Sequence, residues 1–194
     1  MNKRGLVLIE LIIIICIIGL IMGIGLPALW KLHLIMSLKS EALFFFSKMK
    51  SIRYEAITKH KSVGIVFYKV DKGWYYIVVR DGNGNGILTK DISDGIDVIT
   101  EGPNTCKQAG FAEVGVLNEY IPEIPPGEDY IDKEHPVQFG KSGIFACSSV
   151  GTCTSGTIYF MSSAVERMQA VRVYAPTSRI SLWEYSYQNG WHKN

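Results

Sequence analysis

Twenty consecutive residues, Leu11 to Trp30, carry no charge, and no other feature restricts the fold of this chain as much. As an α-helix rising about 1.5 Å per residue, the stretch is about 30 Å long, which matches the hydrocarbon core of a bilayer. A secretory signal peptide would have a shorter apolar region ending in a small-residue cleavage site. Here the run continues through Leu29 and Trp30 into further helical pattern, so the helix is expected to stay attached as a single span. Lys3 and Arg4 precede it and favour a cytoplasmic N-terminus, opposed only by Lys31 at the far end. The 164 residues from Lys31 to Asn194 are then expected outside the cytoplasm.

Glu10 lies at the start of this run. A carboxylate one turn into hydrocarbon costs on the order of 2 to 3 kcal/mol and needs a partner. Its own helix offers no cation nearby within the membrane, so the partner is expected on another chain. Were the peptide bond after Gly5 cut, Leu6 would carry a new α-ammonium at matching depth, available to Glu10 of a neighbouring copy. Glu10 then acts as an assembly register rather than as an acid or base.

The order Lys3-Arg4-Gly5, then Leu6-Val7-Leu8-Ile9-Glu10-Leu11, with Pro27 twenty-one residues after Leu6, resembles the class III leader and N-terminal helix of type IV pilins and type II secretion pseudopilins. The resemblance implies that prepilin peptidase removes Met1 to Gly5 and N-methylates Leu6, which stands where the family usually has Phe. It implies other pilin or pseudopilin subunits as partners through this helix. It also implies a bacterial inner-membrane protein with a periplasmic head that later enters a pseudopilus or pilus. A plain single-span anchor would leave Glu10 unexplained, because unpaired charge inside a membrane is rare. Gly19-Leu20-Ile21-Met22-Gly23 adds the small-xxx-small spacing that lets helices approach closely.

Beyond Pro27, which removes one helical hydrogen bond and should kink or loosen the helix, Leu38, Ala42, Phe45, Met49, Ile52 and Ala56 recur at steps of four and three. That spacing puts them on one face. One long helix therefore has two roles, the first half in membrane or fibre core, the second against a head domain. Lys39, Lys48, Lys50, Arg53 and Lys59 lie off the stripe and read as a solvated face rather than a DNA-binding helix. The chain divides into a leader (1–5), an apolar helix (6–30), an amphipathic helix (31–61) and a head (62–194).

After Lys61 the period changes. Val63 to Lys69 and Trp74 to Arg80 flank Val70-Asp71-Lys72-Gly73 and read as a hairpin. Further strands are expected at Ile96 to Thr100, Pro136 to Phe139, Gly143 to Cys147, Thr157 to Met161, Ala170 to Ala175 and Arg179 to Ser186. Strands at this spacing after one helix give an α+β fold with an antiparallel β head packed on the C-terminal half of the helix. Ile121-Pro122-Glu123-Ile124-Pro125-Pro126-Gly127 reads as a surface loop by its prolines.

Ile52-Arg53-Tyr54-Glu55-Ala56-Ile57, the hairpin with Trp74, Phe139-Gly140 with Gly143, Gly156-Thr157-Ile158-Tyr159-Phe160, Val171-Arg172-Val173 and Ser178-Arg179-Ile180 are similar to the GspH/FimT family of minor pseudopilins and minor pilins. That resemblance implies a structural minor subunit supporting secretion or pilus assembly. Some FimT-type members bind DNA through a Gly-Arg-x-Arg run, of which Ser178-Arg179-Ile180-Ser181 keeps one arginine. The alternative reading, DNA capture for natural transformation, would use Arg167, Arg172, Arg179 and Lys193 as phosphate contacts. Glu166 and Glu184 offset them, and strand residues alternate faces.

Charge is polarised along a chain whose formal net charge is only +2. Lys31 to Lys61 holds seven Lys and Arg against Glu41 and Glu55, while Asp91 to His135 holds eleven Asp and Glu against Lys107 and Lys133. The near-neutral total implies no global attraction to nucleic acid. Cys147 and Cys153 bracket a short flexible segment in a part of the chain placed in an oxidising compartment, and read as a disulfide. Cys106 leaves other pairings open, and Cys16 reads as a small apolar filler within the membrane helix.

Asp81-Gly82-Asn83-Gly84-Asn85-Gly86 begins like a calcium loop, with oxygen side chains at Asp81, Asn83 and Asn85 and glycine at the sixth position. The twelfth position is Ile92, where a bidentate Glu belongs, and a Gly/Asn turn explains the same residues. No other cofactor is expected. The sequence has no Walker A run, Gly-x-Ser-x-Gly elbow or His-Glu-x-x-His helix, and no enzyme activity is expected of it.

Overall fold

The computed structural model describes residues 3–71, 73–107 and 110–193, with residues 3–9 and 175 described by backbone only. Met1 and Asn2 of the expected leader, and Lys72 of the expected hairpin turn, lie outside the described residues.

Helix α1 spans Lys3–Lys59 without interruption, 57 residues with Pro27 inside it. At about 1.5 Å per residue it is roughly 85 Å long. Pro27 has no N–H for the Gly23 carbonyl one turn earlier. The helix stops in a Schellman arrangement: the Lys61 N–H donates to Ala56 O, the His60 N–H to Ile57 O, and His60 takes the left-handed conformation at φ 52°. This closure turns the chain back along the helix into β1.

Strands β1 (Val63–Val70) and β2 (Gly73–Arg80) pair over their full lengths, Val63 opposite Arg80 and Val70 opposite Gly73. With β3 (Val98–Thr105) and β5 (Ile144–Cys147) they form an antiparallel sheet of order β3-β2-β1-β5. Strands β4 (Glu113–Val114), β6 (Gly156–Ser162), β7 (Arg167–Tyr174), β8 (Arg179–Ser186) and β9 (Gly190–Lys193) form a second antiparallel sheet in the order β4-β6-β7-β8-β9. The architecture is α+β, a long apolar N-terminal helix continuing into an antiparallel β head.

Both sheets turn one face to α1. Leu38, Ala42, Phe45, Met49, Ile52 and Ala56 are buried in one cluster with Ile65 and Phe67 of β1, Phe145 of β5, Phe160 of β6, Val171 of β7 and Leu182 of β8. The Phe45 ring sits between Tyr76 at 5.3 Å and Phe160 at 5.3 Å. The buried stripe starts at Leu34, one turn before its expected beginning, and includes Glu41, a fully buried carboxylate.

The opposite face of each sheet is covered by a connecting segment, which the prolines and acidic residues of the sequence did not suggest. Val116, Ile121, Ile124 and Ile131 pack on Tyr159, Met168, Ala170 and Tyr185 of the second sheet. The stretch expected as a plain surface loop at Ile121 to Gly127 thus exposes Pro122 and Pro125 and buries its two isoleucines. On the first sheet, Ile87 packs with Val79 and Ile144, and Ile92 of the short helix α2 (Thr89–Ser93) packs against them.

Three strand expectations need correction. The strand expected at Pro136 to Phe139 is a single bridge, Val137 to Ile158, because Pro136 has no N–H and Gly140 turns the chain away at φ 59°. The strand expected at Ile96 begins at Val98, because Ile96 and Asp97 donate their N–H groups to Asp91 O. The strand expected at Ala170 to Ala175 begins at Arg167 and ends at Tyr174, where a 3-10 turn over Ala175–Thr177 takes over.

Candidate functional site

The surface that most distinguishes this chain is the bare part of α1. From Glu10 to His33 its residues are exposed, apart from a half-buried Gly25. The span from Glu10 has a mean hydropathy of 2.8 in its most apolar window. Glu10 is the sole carboxylate on that exposed stretch and has no cation of its own chain beside it among the described residues. The Gly5 and Leu6 junction lies within the helical backbone four residues earlier. Cys16 is exposed on the same stretch.

Above His33 the off-stripe cations are partly engaged by the head. Lys48 donates to Glu101 of β3, which joins the basic helix to the acidic segment. Arg53 Nη1 donates to Ser178 O at 2.9 Å, and Lys50 lies 4.1 Å over the Phe46 ring. Lys59 pairs with Glu55 at 2.8 Å. The solvated face expected from the sequence is therefore in part a set of ties between helix and sheets.

Of the four cations of the nucleic-acid reading, two are engaged within the head and two are exposed. Arg167 Nη1 donates to Glu184 Oε1 at 2.8 Å. Arg172 Nη1 donates to the Ile124 carbonyl at 2.7 Å and the Pro125 carbonyl at 3.1 Å, which pins the 116–131 segment over the sheet. Arg179 and Lys193 are exposed, but Arg179 stands opposite Tyr174 and Lys193 opposite Trp183, four residues farther along β8. That separation is about 13 Å along a strand.

In the Asp81–Asp97 segment the side chains satisfy one another. Asp81 accepts from the Asn83, Gly84 and Gly86 N–H groups at 3.1, 2.7 and 2.8 Å. Asp97 accepts from Gly82 N at 3.0 Å, and Asp91 accepts from the Asn83 and Asn85 amides at 3.1 and 2.8 Å. Asn83 and Asn85 thus present donors to a carboxylate. Among the described residues no group of three His, Cys, Asp or Glu is placed to hold a metal ion. The geometry is that of a hydrogen-bonded turn clamping this segment onto the first sheet.

Cys147 and Cys153 are joined in a disulfide between the end of β5 and the chain entering β6. Cys106 is free and buried, and burial first, then the Glu41 carboxylate, push its thiol far above the ordinary range. An open groove beside the β1–β2 hairpin is lined by Lys69, Trp74, His135 and Lys141, with no carboxylate or thiol among its lining residues. His135 there is 2.7 Å from Asp132, whose carboxyl is held below its usual range first by that hydrogen bond.

Two features escape sequence reasoning. Glu41 occupies a stripe position that pattern assigns to an apolar residue, and Phe111 reaches α1 from outside the head core, 5.6 Å from the Trp30 ring. The second contact carries no sequence signal, because Phe111 stands alone between polar and small residues.

No family model matches the chain. Pilin-like protein PilA1 of Thermus thermophilus is 33% identical over 85 residues, which cover 44% of this chain and 53% of that protein. The chain thus spans about half the length of the curated relative it matches. The minor pseudopilin EpsH from the type 2 secretion system of Vibrio cholerae is 14% identical, with a TM-score of 0.45 over 75% of this chain and 95% of that structure.

Proposed function

We propose that the chain is a pilin-like structural subunit, held in the bacterial inner membrane by α1 until it enters a fibre through the same helix. The observation that carries this reading is the division of α1. A single helix buries a stripe from Leu34 onward in its own head and leaves the run from Glu10 to Leu29 outside the head core, Glu10 included. A head without that half would need no such helix, and a simple anchor would need no carboxylate. The identity to a pilin-like protein over 85 residues supports the same reading.

In finer terms, prepilin peptidase cuts after Gly5 and methylates Leu6, and the new α-ammonium of one subunit pairs with Glu10 of its neighbour. The role is that of a minor pseudopilin or minor pilin supporting secretion or pilus assembly, with the head in the periplasm. The ion pair of Arg167 with Glu184 and the carbonyl contacts of Arg172 favour this structural role over the nucleic-acid alternative.

The test is Glu10→Ala in cells that make the fibre. The variant is expected to fractionate with membranes and to lose its leader, yet to be absent from sheared fibres by immunoblot. Normal incorporation would sink the pairing, and an unshortened wild-type chain would sink the processing.

A further inference from the structure

We propose that Phe111 is a second membrane contact of the head, seated in the lipid interface beside the emerging helix. It rests on the reading of α1 as a membrane span.

Phe111 lies in the connection between β3 and β4, yet its ring stays out of the head core and is 44% exposed. It meets Trp30 edge-on at 5.6 Å and His33 edge-on at 5.5 Å. Trp30 closes the uncharged run, Lys31 follows it, and its side chain is 58% exposed. A run of that length fills the hydrocarbon core, so the boundary of the core falls at Trp30. Tryptophan is enriched at that boundary, where an aromatic body meets acyl carbon and its N–H meets water. A phenyl ring held against Trp30 is at the same depth.

The head otherwise grips α1 only from Leu34, one turn higher, so Phe111 reaches below the core that carries it. In water this ring would be a stray exposed hydrophobe. In a bilayer it extends the apolar surface of the span sideways, continuous with the helix, and takes the glycerol and upper acyl region of phospholipid as its ligand. The head gains a second point of support and loses freedom to tilt about the helix. A neighbouring subunit's helix is the competing occupant.

The test uses the full chain in phosphatidylcholine vesicles, with an environment-sensitive fluorophore on a single accessible cysteine and a nitroxide quencher placed on the upper acyl chain. Cys106 is 1% exposed and the other pair is disulfide-bonded, so native Cys16 is the labelling site in the parent. Phe111→Cys and Val150→Cys, each with Cys16→Ser, place the label at the proposed contact and at a residue 80% exposed on the head. Quenching at position 111 is expected to exceed that at position 150 several-fold, with blue-shifted emission. Equal quenching at the two positions overturns the inference, and an emission change at position 111 seen only in assembled fibres assigns the ring to a neighbour instead. Deep quenching at Cys16 with none at 111 leaves the span standing while the inference falls; no quenching at Cys16 removes both.

Discussion

Between Leu11 and His33, α1 is as helical as between Leu34 and Ala56, but in the first part every residue save Gly25 is exposed and in the second each turn buries at least one residue. In the first half the apolar residues surround the axis, so their arrangement picks no face, and whatever covers them lies outside the chain. The second half has a stripe and a charged remainder, and the head closes over the stripe. The difference separates two causes of helix stability: the first half relies on propensity and an apolar surrounding, the second on tertiary packing.

The largest expected effect that tests this division is on Phe45. Its ring lies between Tyr76 and Phe160, so Phe45→Ala should destabilise the head by about 3 to 5 kcal/mol. Ile14→Ala, on the bare half, should shift head unfolding by no more than about 0.5 kcal/mol. Denaturant unfolding of the full chain in detergent, followed by near-UV circular dichroism, measures both; equal losses would erase the distinction.

Alkali should separate the halves next. Burial raises the Tyr159 hydroxyl to about 12, with the nearby Glu123 carboxylate adding to the rise against a lowering hydrogen bond with Thr157. Tyr76, packed on α1, is raised first by burial and then by Glu101. The unfolded chain releases these protons near pH 10 while the folded head keeps them. Stability is therefore complete below pH 10 and falls as pH rises through 12, by about 2 to 3 kcal/mol for Tyr159. Near-UV signal should be lost in alkali while far-UV helicity of the bare half persists in detergent, and Tyr159→Phe should lessen the alkaline loss of head stability. An alkaline dependence unchanged in Tyr159→Phe would contradict the burial.

The smallest effect is at Lys48 and Glu101, where the side chains are 21% and 41% exposed. Lys48→Met should cost about 0.2 to 1 kcal/mol, less in high salt. A double-mutant cycle with Glu101→Gln isolates the pair, and a coupling energy of zero would show that the helix and the acidic segment are joined by packing alone.

The stripe from Leu38 to Ala56 was legible because helical spacing and burial share one period. Glu41 was not, since a charged residue on a stripe carries no sign that it will be enclosed. The strand centres were legible by their β-branched and aromatic residues, whereas β4, with two residues, β9, with four, and α2, with five, are too short to hold a period. At Ile121 to Gly127 the prolines correctly mark turns, but composition could not tell that Ile121 and Ile124 would face a sheet. The basic residues near the C-terminus could be placed on strands, yet the carbonyls that occupy Arg172 come from a segment 47 and 48 residues away. The Asp81–Gly86 pattern favoured a turn over an ion because Ile92 stands at the twelfth position, but the contacts of the Asn83 and Asn85 amides with Asp91 could not be read from it.

The continuity of α1 also has a mechanical meaning. The grip of the head runs along the helix from Leu34 to Ala56, roughly 33 Å, and Pro27 lies below it. A pull along the axis therefore bears on that whole row of side chains in shear, sharing the load among them instead of peeling them apart in turn. Any bending at the proline occurs before the load reaches the head, so the rod can flex without loosening what it carries.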